Sequence, residues 1–194
     1  EGAGKSTHSK RLAEYLQTLD HEVVVTREPG GTPTAEKIRS ILLDPEITDM
    51  PDQTEALLFA ASRADHAANL IRPALARGAT VICDRYFDSS VAYQGFSRGL
   101  GPEKIRELSL WATGDLIPDF TIYLDVPHEA AEMRMDGTDR MEIQSRDFHE
   151  AVHQAFRDIA AASKYPNIVI DATAPKDEVA AAVRAAVDGV LAAR

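Results

Sequence analysis

The run EGAGKST at residues 1–7 constrains the fold of this chain more than any other stretch. Gly4, Lys5 and Ser6 match the last three fixed positions of the phosphate-binding loop G-x-x-x-x-G-K-[ST]. In that loop backbone amides hold phosphates, the lysine reaches the terminal phosphates and the hydroxyl ligates magnesium. A buried strand feeds such a loop, and a helix follows it. Because the first glycine of the motif would lie two residues before Glu1, we expect that glycine and the strand upstream of residue 1.

The composition fits one folded domain without a polyanionic partner. The chain has 194 residues, 44% of them hydrophobic, which suits a single core, so we expect one domain over residues 1–194. The formal charge of −10 disfavours a nucleic acid or an acidic membrane as partner, because binding to either relies on an excess of Lys and Arg. Cys83 is the one cysteine and cannot form an intramolecular disulfide, which favours a reducing, cytoplasmic location.

Short apolar runs rich in β-branched residues predict four buried strands separated by helices. The runs span 22–26, 80–84, 120–126 and 167–171. The predicted helices span 6–19, 34–43, 52–77, 102–113, 128–135, 145–163 and 176–192. This alternation predicts an α/β fold, in which helices cover both faces of a parallel sheet and ligands bind at the carboxyl ends of the strands. With the upstream strand we expect five strands, and we interpret the polar stretch 134–146 as an insert in the same domain.

Three segments place candidate binding residues at that edge of the sheet. Arg27 ends the first run, in TREPGGT, and Asp84 and Arg85 follow the second. A carboxylate there can hold magnesium in a P-loop protein, and an arginine can bind phosphate through two parallel hydrogen bonds. Phe59 and Arg63 share a helix face, where a ring can stack on a base and an arginine can donate to a carbonyl. The alternatives are a turn with a surface arginine, a strand-end ion pair, and a core Phe59 beside a solvated Arg63.

The segments GAGKST, TREPGGT, LLFAASR, DRYFDSSVAYQG and PDFTIYLDV, in this order, resemble the thymidylate kinase family over essentially the whole chain. The resemblance implies a P-loop nucleoside monophosphate kinase fold. It implies a magnesium-dependent transfer of the ATP γ-phosphate to dTMP, which gives dTDP and ADP for dTTP synthesis. It also implies ATP and Mg²⁺ as cofactors and a homodimer packed through helices, with residues 105–116 as a candidate contact.

The same resemblance assigns roles to individual residues. ATP is assigned to Gly2, Ala3, Gly4, Lys5, Ser6 and Thr7, and magnesium to Ser6 and Asp84. The acceptor is assigned to Glu1, Arg27, Phe59, Arg63, Arg85, Ser89, Ser90, Tyr93 and Gln94. Within that set Phe59 stacks on thymine and Arg63 reads its carbonyl. The ring of Tyr93 crowds the 2′ position of the sugar, so a ribose hydroxyl is excluded by a clash.

Catalysis is assigned by resemblance to Lys5, Asp84, Arg85 and an arginine of the lid segment, residues 134–146. Arg140 is the preferred lid arginine and Arg134 the next, whereas we expect Arg146 in a solvated, salt-bridged loop. This lid is shorter and more acidic than an arginine-rich bacterial lid. No covalent intermediate is expected, because positioning and charge neutralisation supply most of the catalysis in phosphoryl transfer.

Three other functions stay open at this point. A related kinase would act on another nucleoside monophosphate or on an unphosphorylated deoxynucleoside. Arg27 and Arg85 favour a phosphorylated acceptor, and Phe59 with Arg63 favours thymine. A GTP-binding switch would carry D-x-x-G and N-K-x-D, and the sequence has neither. A nucleotide-binding protein without catalysis is the third alternative, and the unusual lid supports it.

Overall fold

The computed structural model describes residues 2–127, 130, 131 and 139–192. The strands are β1 (Val23–Arg27), β2 (Thr80–Asp84), β3 (Thr121–Asp125) and β4 (Asn167–Asp171). The helices are α1 (Lys5–Gln17), α2 (Pro33–Leu43), α3 (Asp52–His66), α4 (Arg72–Ala76), α5 (Phe87–Ser90), α6 (Pro102–Thr113), α7 (Arg146–Ala162) and α8 (Lys176–Ala192). The predicted strands are all present, and the predicted helix 128–135 lies mostly outside the described residues.

Local chemistry explains several of these boundaries. Thr32 caps α2 by accepting a hydrogen bond from the Ala35 amide, and Ser145 caps α7 in the same way. The predicted helix 52–77 is continuous from α3 to α4, with a π-helical segment, Ala67–Ile71, in its middle. Pro73, which has no N–H to donate, lies at the start of α4, directly after this segment. A second π-helical segment, Val91–Ser97, follows α5.

The strands form two parallel pairs whose charged ends lie at one edge. Arg27 of β1 is in register with Asp84 of β2, and Asp125 of β3 is in register with Asp171 of β4. Parallel strands with matched ends bring these four side chains to the carboxyl edge of each sheet, where α/β proteins bind ligands. The described residues supply four strands, so the expected count of five is not confirmed.

An apolar cavity of about 650 Å³, the slot, lies between β2 and β3. Val81 and Ile82 of β2 line one side, Ile122 and Leu124 of β3 line the other, and Leu16 of α1 also lines the slot. Within the described residues no strand joins β2 to β3, so the two pairs are separate sheets. Helices pack around both pairs, and none in the described part of the chain is long and apolar enough to cross a membrane.

Candidate active site

A polar cavity of about 450 Å³, the cleft, opens at the carboxyl ends of β1 and β2. Every described residue that the sequence assigned to ATP, magnesium, the acceptor or catalysis lines this cleft, except Ala3 and Arg140. Ala3 lines the slot instead. Glu1 and Arg134 lie outside the described residues. The fold therefore brings together residues that are up to 92 positions apart in the sequence, from Gly2 to Gln94.

The phosphate-binding loop has the backbone that its glycines predict. Gly2 and Gly4 have φ angles of 66° and 83°, in the left-handed region that favours glycine. A Cβ on Gly2 would lie 2.4 Å from the carbonyl oxygen of Ala131, so a side chain does not fit there. Gly4 caps α1, which begins at Lys5. The first residues of this helix line the cleft, so its first backbone amides lie at the cleft. A helix N-terminus with free amides favours an anion such as a phosphate.

Ser6 and Asp84 place side-chain oxygen atoms next to each other at the end of β2. The Ser6 hydroxyl donates to Asp84 Oδ2 at 2.8 Å. Asp84 Oδ1 is buried and accepts no hydrogen bond from the described residues. A hard cation such as Mg²⁺ binds carboxylate and hydroxyl oxygens, so the unpartnered oxygen fits a magnesium site.

Three arginines that line the cleft, Arg27, Arg39 and Arg85, give its wall positive charge. Arg27 donates to both oxygens of Glu36, at 3.0 and 3.1 Å, and half of its side chain is exposed. Arg85 has a φ of 70° and its guanidinium lies over the Tyr93 ring, 5.5 Å from the centroid. Burial lowers the pKa of Arg39, and the neighbouring charges of Arg27 and Arg85 lower it further. Such a cluster favours an anion, and Arg39 is a member that sequence analysis missed.

Arg63 is the most constrained side chain of the cleft. It is 2% exposed, so the alternative of a solvated Arg63 is wrong. Its Nε donates to Glu28 Oε2 at 2.7 Å, and its two Nη atoms donate to the hydroxyls of Ser109 and Ser90, each at 3.1 Å. The other Glu28 oxygen lies 3.0 Å from His66 Nδ1, which donates because a carboxylate only accepts. Arg63 still has N–H groups for a ligand, and its orientation is fixed.

Sequence analysis missed Glu28, which lines the cleft, and His66, which is hydrogen-bonded to it. Their ligand atoms lie within 4.8 Å of the Cys83 sulfur, a grouping that resembles a metal site. Both carboxylate oxygens of Glu28 are already engaged, by Arg63 and His66, so the three residues form a hydrogen-bond network. The signal was present in the sequence, because Glu28 follows Arg27 and His66 lies one helical turn after Arg63.

Three further residues assigned to the acceptor nucleotide supply two aromatic rings and one amide oxygen that can accept a hydrogen bond. Phe59 is half-buried and lines the cleft one turn before Arg63. Tyr93 is buried and packs edge-on against Phe148, with ring centroids 6.0 Å apart. Gln94 is fully buried, and its Oε1 accepts no hydrogen bond from the described residues although the side chain lines the cleft. A donor on a bound ligand would satisfy this oxygen.

Comparison with known proteins identifies the family to which this geometry belongs. The model of the family described as "Thymidylate kinase" matches residues 1–183. The chain belongs to the thymidylate kinase family. Members of this family are nucleoside monophosphate kinases that phosphorylate dTMP for dTTP synthesis, so the enzyme class and the function predicted from the sequence are confirmed at the level of the family.

Individual members of the thymidylate kinase family match over nearly their whole length. The thymidylate kinase of Clavibacter michiganensis subsp. michiganensis is 49% identical over 197 residues, covering 100% of this chain and 93% of the relative. That of Symbiobacterium thermophilum is 47% identical over 193 residues, covering 98% and 90%. The crystal structure of thymidylate kinase from Ehrlichia chaffeensis superposes with a TM-score of 0.79 at 32% identity, covering 96% of this chain and 94% of that one. The predicted α/β P-loop kinase fold is thus confirmed.

The lid arginine preferred for thymidylate kinase catalysis lies away from the cleft. Arg140 is buried, its Nη2 lies 2.7 Å from Glu55 Oε2, and its Nε donates to the Leu42 carbonyl at 2.8 Å. The structure therefore does not bring Arg140 together with Lys5 and Arg85. Asp139, Met141 and Glu142 from the same segment line the cleft instead. Arg146 is exposed and lies 2.9 Å from Glu150, so it is solvated and salt-bridged as expected, but it is the first residue of α7 and not part of a loop.

Proposed function

We propose that this chain transfers the γ-phosphate of ATP to dTMP in the cleft, giving dTDP and ADP. The observation that carries the proposal is that a hydrogen-bond donor side chain and a hydrogen-bond acceptor side chain line one cavity with the phosphate-binding loop. Arg63 offers fixed N–H donors, and Gln94 offers a buried, unpartnered carbonyl oxygen. Thymine presents a carbonyl next to an N3–H, which is the matching acceptor and donor. Phe59 supplies an apolar ring for stacking in the same cavity.

The arginines favour an acceptor that already carries phosphate. Arg27, Arg39 and Arg85 line one cleft, and guanidinium groups bind phosphate oxygens through paired hydrogen bonds. The pKa of a phosphate monoester for its second ionisation is about 6, so an acceptor oxygen is already anionic at neutral pH. The chain then needs no general base to activate it. An unphosphorylated nucleoside would offer these guanidinium groups no anion to bind.

The nucleotide residues fit the cofactors that the family implies. Gly2 to Thr7 would hold the ATP phosphates through backbone amides and Lys5, and Ser6 with Asp84 would hold Mg²⁺. When bound, magnesium neutralises phosphate charge and orients the transferred group. Lys5 reaches the terminal phosphates in loops of this type. The Ser6–Asp84 hydrogen bond sets the two magnesium ligands beside that lysine.

The transfer itself needs positioning and charge stabilisation. An oxygen of the acceptor phosphate forms a bond to the γ-phosphorus as the bond to the β–γ bridging oxygen breaks, so no proton is gained or lost in the step. Lys5 and Arg85 stabilise the charge that develops on the transferred group. Burial raises the pKa of the Cys83 thiol, and the charges of Glu28 and Asp84 raise it further, so this thiol is not a nucleophile. For Arg140 or Arg134 to assist, the lid segment must bring its guanidinium to the cleft.

We also propose that the chain acts as a homodimer in the cytoplasm. Trp111 of α6 is 81% exposed and Leu57 of α3 is 58% exposed, and these two helices pack against each other. Both lie outside the cleft. A second copy of the chain would bury such large apolar side chains without blocking the active site. Sedimentation equilibrium should show a dimer, and Trp111→Lys should shift it to monomer.

The experiment that tests the function measures ADP release from ATP and magnesium with five acceptors: dTMP, dUMP, dCMP, AMP and thymidine. We expect a strong preference for dTMP and no turnover of thymidine. Faster turnover of another monophosphate would retain the kinase and contradict the thymine site. ATP binding without turnover of any acceptor would support the alternative of an inactive nucleotide-binding protein.

A further inference from the structure

Glu55 is a buried carboxylate to which the sequence assigns no function. It is 1% exposed and lies on α3 one turn before Phe59 and two turns before Arg63, on the same helix face. Its Oε1 accepts a hydrogen bond of 2.9 Å from Nε2 of Gln94. Glu55 itself does not line the cleft, so any effect on a ligand passes through a neighbour.

The carboxylate of Glu55 determines which way the Gln94 amide faces. A carboxylate only accepts hydrogen bonds, whereas a carboxamide has a donating NH₂ at one end and an accepting oxygen at the other. The NH₂ of Gln94 must therefore point towards Glu55, and the carbonyl oxygen must point the other way. That oxygen is the buried, unpartnered Oε1, and leaving a buried acceptor unpaired costs free energy.

Two arginines keep Glu55 ionised. Arg98 lies 3.3 Å from each carboxylate oxygen, through Nε and Nη2, and Arg140 Nη2 lies 2.7 Å from Oε2. Burial alone would raise the pKa of Glu55. The hydrogen bond from Gln94 and the charges and hydrogen bonds of the arginines outweigh burial, so the pKa lies below its ordinary value. At neutral pH the group is thus an acceptor only.

We infer that Glu55 is a positioning residue for base selection: it holds the Gln94 amide so that the carbonyl oxygen accepts the N3–H of a thymine or uracil base. The inference rests on the proposed function of the cleft. Cytosine has an acceptor at N3, which would face the Gln94 oxygen with no hydrogen between them. Glu55 thereby favours dTMP over dCMP. It acts through its hydrogen bond to Gln94 and contacts neither nucleotide itself.

A double-mutant cycle tests this role, with kcat/KM for dTMP divided by kcat/KM for dCMP as the readout. Arg63 disfavours dCMP in every variant, so changes in the ratio report on positions 55 and 94. In Glu55→Gln the new amide can donate as well as accept, so Gln94 can turn, and we expect the ratio to fall about tenfold. In Gln94→Met the acceptor is gone, and adding Glu55→Gln to that variant should leave the ratio unchanged.

Arg98→Gln is the matched control, because it removes a charge from the same carboxylate and leaves the Glu55–Gln94 hydrogen bond in place. We expect its ratio within twofold of the wild-type value, even if its unfolding temperature falls. A wild-type ratio in Glu55→Gln would overturn the inference, and so would a tenfold fall in Arg98→Gln. A tenfold fall in the ratio when Glu55→Gln is added to Gln94→Met would also overturn the inference.

A reciprocal exchange covers the case in which Glu55→Gln fails to fold. Gln94→Glu alone places two carboxylates in contact, whereas combining it with Glu55→Gln restores one amide and one carboxylate. The exchanged pair should recover the preference for dTMP, because the amide now at position 55 would donate to one oxygen of the carboxylate now at position 94 and leave the other oxygen to accept. A ratio no higher than that of Gln94→Glu alone would overturn the inference. Absence of dTMP turnover in the wild-type chain would instead contradict the proposed function.

Discussion

The cleft and the slot meet at the carboxyl end of β2, but different kinds of side chain line them. The cleft, about 450 Å³, is lined by charged groups that pair with one another, as Glu28 pairs with Arg63. The slot, about 650 Å³, is lined on both sides by apolar residues of β2 and β3. The residues that line both cavities are Lys5, Asp84, Arg85, Tyr86, Ser89 and Tyr93. This boundary is where catalysis and stability can be perturbed together.

The difference suggests that the two cavities contribute separate properties. Hydrogen-bonded ionic groups give orientation and add little net stability, because desolvation offsets much of their attraction. Apolar surface contributes stability in proportion to the area removed from water. We therefore expect changes in the cleft to alter turnover and selectivity, and changes in the slot to alter the free energy of unfolding.

Arg85→Ala should separate turnover from stability most clearly. It removes a charge from the cleft, so we expect kcat/KM for dTMP to fall by about 10³-fold, the upper range for losing one donor to a charged transition state. Although Arg85 also lines the slot, the free energy of unfolding should fall by much less than in Tyr93→Ala, because no apolar side chain is removed from the core. Arg77→Ala is the control, since Arg77 pairs with Glu22 on the surface. Near-normal turnover in Arg85→Ala would contradict the role of Arg85.

Tyr93→Ala should affect both properties, because Tyr93 lines both cavities. Its ring packs on Phe148 and Phe156, so we expect a loss of about 3 kcal/mol in the free energy of unfolding. Removing the ring also opens space at the sugar, and turnover of ribonucleotide acceptors relative to deoxyribonucleotides should rise about tenfold. Tyr93→Phe keeps the ring and should keep the ratio. An unchanged ratio in Tyr93→Ala would refute the steric account.

The sequence predicts the parts of these cavities that depend on local pattern. Apolar β-branched runs mark the four strands, the glycines mark the phosphate loop, and spacing of four puts Phe59 and Arg63 on one face. The contacts that orient these groups join distant positions. Arg63 and Glu28 are 35 residues apart, and Arg140 donates to a carbonyl 98 residues away. No helical or strand period links such pairs, so neither the burial of Arg140 nor the role of Glu55 follows from the sequence alone.

A third prediction concerns the slot, which has apolar residues of β2 on one side and of β3 on the other. A six-residue apolar segment joined ahead of the phosphate loop could pair with β2 and β3. Burying its side chains, less the cost of ordering them, should raise the free energy of unfolding by about 2 kcal/mol. A segment of equal length made of Ser and Gly should give no gain. Equal midpoints of urea unfolding for the two segments would show that the apolar segment does not bury its side chains in the slot.

The smallest expected effect is a pH dependence from His8, which lines the slot at the start of α1. His8 is 6% exposed and its Nδ1 is buried with no partner among the described residues. Burial lowers its pKa below the ordinary 6.5, and the charges of Arg11 and Lys176 lower it further. The folded state therefore holds His8 neutral, while the unfolded chain takes up the proton first as the pH falls.

It follows that His8 makes stability fall as the pH drops below about 6.5, until the lower pKa of the folded state is reached. Replacing it with Gln keeps a polar side chain and removes the titration. Between pH 7 and pH 5 the free energy of unfolding, measured in urea, should fall further in the wild-type chain than in His8→Gln. His21→Gln is the control, because His21 lines neither cavity. Identical pH profiles for the wild type and His8→Gln would show that the slot tolerates this charge, and the contrast with the cleft would weaken accordingly.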